Sequence, residues 1–143
     1  MKIGGGKFSI PFLMRLISDR ASTLFAARTE CPVTAAQARV VMYLRKQEGR
    51  TVTQHELEKY LGVSHATIKG LVQRLEEKGY VRTAFDAQDG RVKNVYLTEK
   101  SDRDKERMRE LVEEMDELLL SGLSEQERAL LGRMLERIYD NIA

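Results

Sequence analysis

Apolar positions along this chain change period twice, and the changes mark its parts. Phe8, Phe12, Leu13, Leu16, Ile17, Leu24 and Phe25 recur at helical spacing and predict a first helix with a broad apolar face. Pro11 suits the opening turn of that helix, and Pro32 is expected to close it. Gly4 to Gly6 read as a frayed or flexible terminus. Ala38, Val41, Met42 and Arg45 share one face of a second helix, and Leu57, Tyr60 and Leu61 anchor a short third. Ile68, Leu71, Val72 and Leu75 form the buried stripe of a fourth, with Gly79 as its C-cap. The period then shortens to two. Tyr80 to Phe85 and Val92 to Leu97 read as strands around the polar turn "DAQDGR", a hairpin with a mobile, charged tip. Helical spacing returns with Met108, Leu111, Val112, Met115, Leu118 and Leu119. Gly122 interrupts it, and Leu130, Leu131, Met134, Leu135, Ile138 and Ile142 make a last stripe.

Capping patterns agree with these boundaries. Thr34–Gln37, Thr53–Glu56 and Ser124–Glu127 each place a hydroxyl three residues before Glu or Gln, and Ser64 is a fourth helix start without that partner. The expected order is four helices, a hairpin and two helices: a mainly α chain with a small β-hairpin. The terminal helices carry more apolar surface than the middle can cover, which points to a homodimer. A monomer whose termini fold back as a bundle is the alternative.

Composition narrows the class. The 143 residues suffice for one domain with a real core. No apolar run is long enough for a membrane span, and Arg15 interrupts the early apolar stretch, against a secretory signal, so the expected compartment is the cytoplasm. The single cysteine, Cys31, excludes an internal disulfide framework and fits a reducing compartment. Net charge is only +2, but it is unevenly spread. Residues 1–50 hold nine Lys and Arg against three Asp and Glu, whereas residues 99–143 hold eight against thirteen. Acid placed away from the middle suits a chain that grips a polyanion there, and equally suits helices that are simply well solvated.

The middle carries the candidate chemistry. A short helix from Thr53, a tight turn "LGVS" and a helix from Ser64 form a helix-turn-helix pattern. Outside the buried stripe of the second helix lie Ser64, His65, Thr67, Lys69, Gly70 and Gln73. These small polar groups and one cation can meet base edges and phosphates from the helix's first turns, and Gly70 removes bulk for a close approach. A solvated helix face is the alternative. The hairpin tip adds Asp86, Asp89, Arg91 and Lys93. Arg91 can extend into a minor groove, and Asp89 can hold a neighbouring arginine, with Arg74 one candidate.

The runs "VTAAQARVVMYLRK", "TQHELEKYLGVSHATIKGLVQRLEEKGYVRT" and "DAQDGRVKNVYLTEK", with the closing helices, resemble the MarR family of bacterial winged-helix regulators from about Val33 onward. The resemblance implies one MarR-type domain over residues 1–143. Its winged helix-turn-helix would occupy about residues 34–98, flanked by dimerisation helices at about 7–30 and 99–143. It implies a homodimer that binds a pseudo-palindromic operator in double-stranded DNA and usually represses transcription. Many members release DNA when a small aromatic ligand or an oxidant acts near the dimerisation helices. By resemblance, Ser64, His65, Thr67, Lys69 and Gln73 are the recognition face, and Thr53 and Gln54 the helix start that meets phosphate. Arg74, Asp89, Arg91 and Lys93 are the wing and its supporting pair. Three positions depart from the pattern: Gln88 stands where an arginine often precedes the wing aspartate, Lys69-Gly70 replaces a commoner polar–basic pair, and Ser101 replaces a frequent glycine.

Other chemistries fit less well. Cys31 sits at a helix exit rather than inside the first helix, without a visible thiolate stabiliser, and reads as structural rather than as a redox sensor. His55, His65 and Cys31 lack metal-site spacing. Met14, Met42, Met108 and Met115 suit core filling, while Phe12, Leu16, Met42, Tyr43 and Met108 are the candidate lining of an effector pocket. No nucleophile–base pair or phosphate-cradling glycine loop suggests an enzyme, and no cofactor is expected. The competing functional class is a winged-helix adaptor that docks on protein.

Overall fold

The computed structural model describes residues 9–143; Phe8 and the Gly4–Gly6 run lie outside them. The described order is α1 (Ile10–Arg28), α2 (Ala35–Lys46), β1 (Val52–Thr53), α3 (Gln54–Leu61), α4 (His65–Glu77), β2 (Val81–Phe85), β3 (Lys93–Leu97), α5 (Glu99–Arg103), α6 (Lys105–Leu119) and α7 (Glu125–Asp140). This is a mainly helical winged helix-turn-helix fold with a small antiparallel sheet. Pro11 sits in the first turn of α1, where its missing N–H forfeits no helical bond. The chain leaves α1 before Pro32, as its restriction on the preceding residue requires.

Two of the three capping boxes close in full. Thr34 and Gln37 exchange bonds at the start of α2, and Ser124 and Glu127 do so at α7. The Gln37 side-chain oxygen also accepts from Lys78 Nζ at 2.8 Å, tying the start of α2 to the end of α4. The Thr53 box closes on one side only. Thr53 Oγ1 accepts from Glu56 N–H at 3.1 Å, but the Glu56 carboxylate turns elsewhere. It accepts from the Tyr43 hydroxyl at 2.6 Å and pairs with both terminal nitrogens of Arg50.

The sheet has an element that period-two patterning could not show. The wing hairpin pairs Val81 with Leu97 through Phe85 with Lys93, and β1 adds Val52–Val95 and Thr53–Asn94 on the other edge. Strand order is therefore β1-β3-β2, with β3 central. A two-residue strand is too short to alternate, so the expected hairpin becomes a three-stranded sheet.

The described residues divide into two compact units, one ending at Leu111 and one running from Val112 to Ala143. In the first, Val40, Val41, Leu57, Ile68, Val72, Leu75, Tyr80, Val81, Met108 and Leu111 are at most 2% exposed. Each such side chain contributes about 1.5–3 kcal/mol relative to exposure, so the α4 stripe and the wing root hold this unit together. Two expected core positions are not core. Tyr60 is 54% exposed and lies against the Tyr43 ring, centroids 4.1 Å apart. Arg45 is half-buried: one terminal guanidinium nitrogen donates to the Ser101 carbonyl at 2.9 Å, while Nε and the other terminal nitrogen are buried without a partner. The helical stretch after the hairpin is also interrupted, at Asp104 between α5 and α6.

In the second unit, the Arg128 guanidinium joins the Glu117 carboxylate through two bonds, 2.9 and 3.2 Å, and donates to the Leu120 and Leu123 carbonyls. Gly122, at φ 85°, makes the turn between the helices. Leu130, Met134, Leu135, Ile138 and Ile142 are all exposed, as are Ile10, Phe12, Met14, Leu16 and Ile17 on α1. Among the described residues no helix is long and apolar enough to cross a membrane.

Candidate nucleic-acid interface

The helix-turn-helix begins with Thr53, whose hydroxyl caps α3 while its backbone belongs to β1. Gly62 ends α3 in the left-handed region, φ 62°, where a side chain is strained, and its N–H bonds the Glu58 carbonyl. Ser64 then caps α4, accepting from Thr67 N–H at 3.2 Å. The two helices are thus joined by three residues whose backbone geometry is fixed at both ends.

Ser64, His65, Thr67, Lys69, Gln73 and Arg74 are all exposed. The opposite face, Ile68, Leu71, Val72 and Leu75, is buried, so the polar residues share one outward surface of α4. A Cβ built on Gly70 meets no heavy atom within 4 Å, so nothing inside the chain calls for glycine there. The acceptor for His65 is Glu58, whose Oε1 lies 2.6 Å from His65 Nδ1, and Glu58 Oε2 lies 3.3 Å from His55 Nδ1. His65, aided by His55, holds the Glu58 carboxyl below its usual range.

Gln54 differs from expectation. Its side chain is 6% exposed and its Oε1 is buried without a partner, because the first residue of α3 follows directly from the sheet and faces inward. A side-chain contact from Gln54 to phosphate is not available in this geometry. Thr53 is half-buried, with its hydroxyl engaged in the cap.

The wing tip is more ordered by hydrogen bonds than "DAQDGR" suggested. Asp86 Oδ2 accepts from Gln88 and Asp89 N–H at 3.0 and 3.2 Å, a turn closed by its own side chain. Its other oxygen accepts from the Asn94 amide at 3.1 Å. The Asn94 bond, with those two backbone bonds behind it, lowers the Asp86 pKa. Asp89 holds an arginine, and that arginine is Arg91 rather than Arg74. Asp89 Oδ1 takes Arg91 N–H at 3.0 Å and Nε at 3.2 Å. The Arg91 side chain is nevertheless 92% exposed, aimed outward by its neighbour. Lys93 is half-buried, with Nζ 5.9 Å from the centre of the cross-strand Phe85 ring.

The segment "LTEK" anchors the wing root, a role sequence reasoning did not assign. Thr98 donates its hydroxyl to the Gly79 carbonyl, and its N–H bonds the Tyr80 carbonyl at 3.2 Å. Lys100 Nζ donates to the Lys78 carbonyl at 2.6 Å. The Tyr80 hydroxyl donates to Asp104 Oδ2 at 2.6 Å, and burial with that bond pushes its pKa up. Gly79, at φ 81°, is the pivot these bonds hold.

Beneath α2 and the sheet lies a cavity of about 390 Å³, lined among others by Arg45, Arg50, Arg82, Tyr96, Asp102 and Lys105. None of the five expected effector-pocket residues lines it. Phe12 and Leu16 are exposed on α1, Met42 and Tyr43 are half-buried, Met108 is buried, and the Tyr43 hydroxyl is committed to Glu56. Cys31 is buried. Burial raises its thiol pKa, with Asp104 and Glu30 adding and Arg107 opposing, so the thiolate is disfavoured.

A MarR-family model matches residues 32–92, and solved winged-helix regulators share the fold of this chain. Both comparisons point to a MarR-type regulator. The MarR-type chain is 39% identical over 77 residues to the HTH-type transcriptional repressor IacR of Pseudomonas putida, a match covering 54% of this chain. It spans a little under half, 46%, of that repressor's length. The crystal structure of the S. aureus MepR–DNA complex superposes with a TM-score of 0.87 at 28% identity, covering 95% of this chain and all of that one. A probable transcriptional regulator from Pseudomonas aeruginosa gives 0.80 at 28%, covering 91% and 96%. These MarR-type relatives are named as regulators of transcription, not as enzymes.

Proposed function

We propose that this MarR-type chain is a cytoplasmic, homodimeric transcriptional regulator, acting as a repressor, that reads a pseudo-palindromic operator in double-stranded DNA. The observation that carries the reading is the pairing of two tools on one unit. The exposed face of α4 is polar except for the small Ala66, and Arg91 projects from the neighbouring wing on a hydrogen-bonded tip. A helix for the major groove beside an arm for the minor groove is how such folds grip a duplex. MepR, similar over nearly the whole chain, is a DNA-binding member of the same fold.

The DNA-reading part is residues 34–98 and the dimerisation parts are about 7–30 and 99–143, where α1 and, in the other unit, α7 each carry exposed apolar residues. Patches of this kind on terminal helices need a partner, and a second copy gives the two-fold symmetry a palindrome requires. The DNA contacts are those of Ser64, His65, Thr67, Lys69, Gln73, Arg74, Arg91 and Lys93, with Asp89 holding Arg91 in place.

Selection of bound duplexes from genomic DNA, followed by affinity measurement against salt, tests this. A dimer that neutralises several phosphates shows a log–log slope near −0.9 for each phosphate. Binding that is flat with salt, or a chain that recovers no duplex, refutes the reading and favours a protein-docking adaptor.

A further inference from the structure

We propose that Glu58 is a positioning residue that fixes which nitrogen of His65 faces DNA, and so helps set base preference. The inference rests on the DNA-reading role of α4. Glu58 is anchored at both of its ends. Its carbonyl accepts from the Gly62 and Val63 N–H groups that end α3, and its side chain is only 14% exposed. The carboxylate reaches across the turn to the first residue of α4, placing Oε1 2.6 Å from His65 Nδ1. Its second oxygen is engaged by His55 Nδ1 at 3.3 Å.

An ionised carboxylate only accepts hydrogen bonds, so Nδ1 must carry the proton in this contact. That assignment follows from the bonding pattern. In the neutral ring Nε2 is then left as an acceptor. The His65 side chain is 73% exposed, on the outward face it shares with Ser64, Thr67 and Lys69. An imidazole acceptor in the major groove matches the exocyclic amines of adenine and cytosine. The opposite tautomer would present a donor and match guanine N7 and O6 instead. Glu58 therefore selects between two readings of the same side chain. With the histidine open to solvent, the pair adds little to stability, so orientation is the consequence that remains.

The test uses the full chain and its E58Q, H65A and doubly substituted forms. Imidazole nitrogen NMR reports the tautomer directly, and selection from a randomised duplex pool reports base preference. The wild type is expected to hold His65 protonated on Nδ1 and to select adenine or cytosine at one position of each half-site. E58Q should shift His65 toward the Nε2–H form and lose about tenfold of discrimination at that position, with the other positions unchanged. H65A should lose the same preference, and E58Q added to H65A should change nothing more. An unchanged tautomer in E58Q, or an unchanged preference while the wild type still selects DNA, overturns the proposal. A wild type that selects no duplex defeats the DNA reading instead, and the NMR arm still decides whether Glu58 sets the tautomer.

Discussion

Gly70 separates stability from recognition, because the two respond to its replacement with opposite signs. It occupies the interior of α4, sixth of thirteen residues, in ordinary helical conformation. Glycine there costs the fold about 0.5–1 kcal/mol relative to alanine through lost backbone entropy. A Cβ at this position meets nothing within 4 Å, so no clash subtracts from the gain. G70A is therefore expected to stabilise the protein by nearly that full amount, raising Tm by about 1–4 °C for a chain of this size. If α4 lies in the groove as proposed, the same methyl enters the space the duplex would occupy. Overpacking of this kind costs about 1–3 kcal/mol, a loss of roughly 5- to 150-fold in affinity. Thermal unfolding of the free protein and a mobility-shift titration on the selected duplex measure the two effects. A Tm that falls would show a helix face more crowded than the structure has it. An unchanged or improved affinity would show that α4 does not insert with this face forward.

Other expectations are simpler to read. Arg91→Ala should weaken DNA binding more than tenfold while light scattering still shows a dimer; wild-type affinity in the same mobility-shift assay would remove the wing from the interface. Ending the chain after Gly122 deletes α7 and its exposed apolar row and should give monomers or insoluble protein. A stable truncated dimer would place the interface elsewhere. Acid should act through Glu56, whose pKa is lowered to about 2, first by Arg50 and then by Tyr43. A carboxyl depressed on folding contributes stability above its unfolded value near 4.5, lost as pH falls toward 2. E56Q should flatten that part of the stability profile, and an equally steep acid loss in E56Q would assign the transition to other groups.

Much of this fold was legible in the pattern of apolar residues, and the reasons for the failures are specific. Helices α2, α4 and α7 announced themselves because cap and stripe agreed at Thr34, Ser64 and Ser124. At Thr53 the same motif closed only halfway, since Glu56 had stronger partners in Arg50 and Tyr43, which sequence spacing does not reveal. Tyr60 kept the helical phase of a core residue yet stayed outside, its ring against Tyr43. Strand β1 was invisible because its identity comes from a ladder to Val95 and Asn94, more than forty positions away. Within the candidate site, the polar face of α4 followed directly from knowing its buried stripe. The partner of Asp89 did not, because choosing Arg91 over Arg74 depends on the shape of the turn. Gln54 failed for the opposite reason: a polar residue beside a cap reads as exposed, and the sheet buries it. Asp86 was findable, since an aspartate opening a turn commonly bonds the N–H two residues on.

The central place of β3 sets different limits on change at the two ends of the wing. Residues 93–97 pair with β2 and, at Asn94 and Val95, also with β1, whose Thr53 is the cap of α3. A one-residue insertion or deletion within β3 would turn its side chains to the opposite face and break two ladders at once. Between Asp86 and Val92 the chain is bonded mostly to itself, so a longer or shorter tip can be rebuilt on the same two strands. Drift in length, and grafting by design, are therefore channelled to the outer loop. The reach of the arm can vary there while α3 and its cap stay where they are.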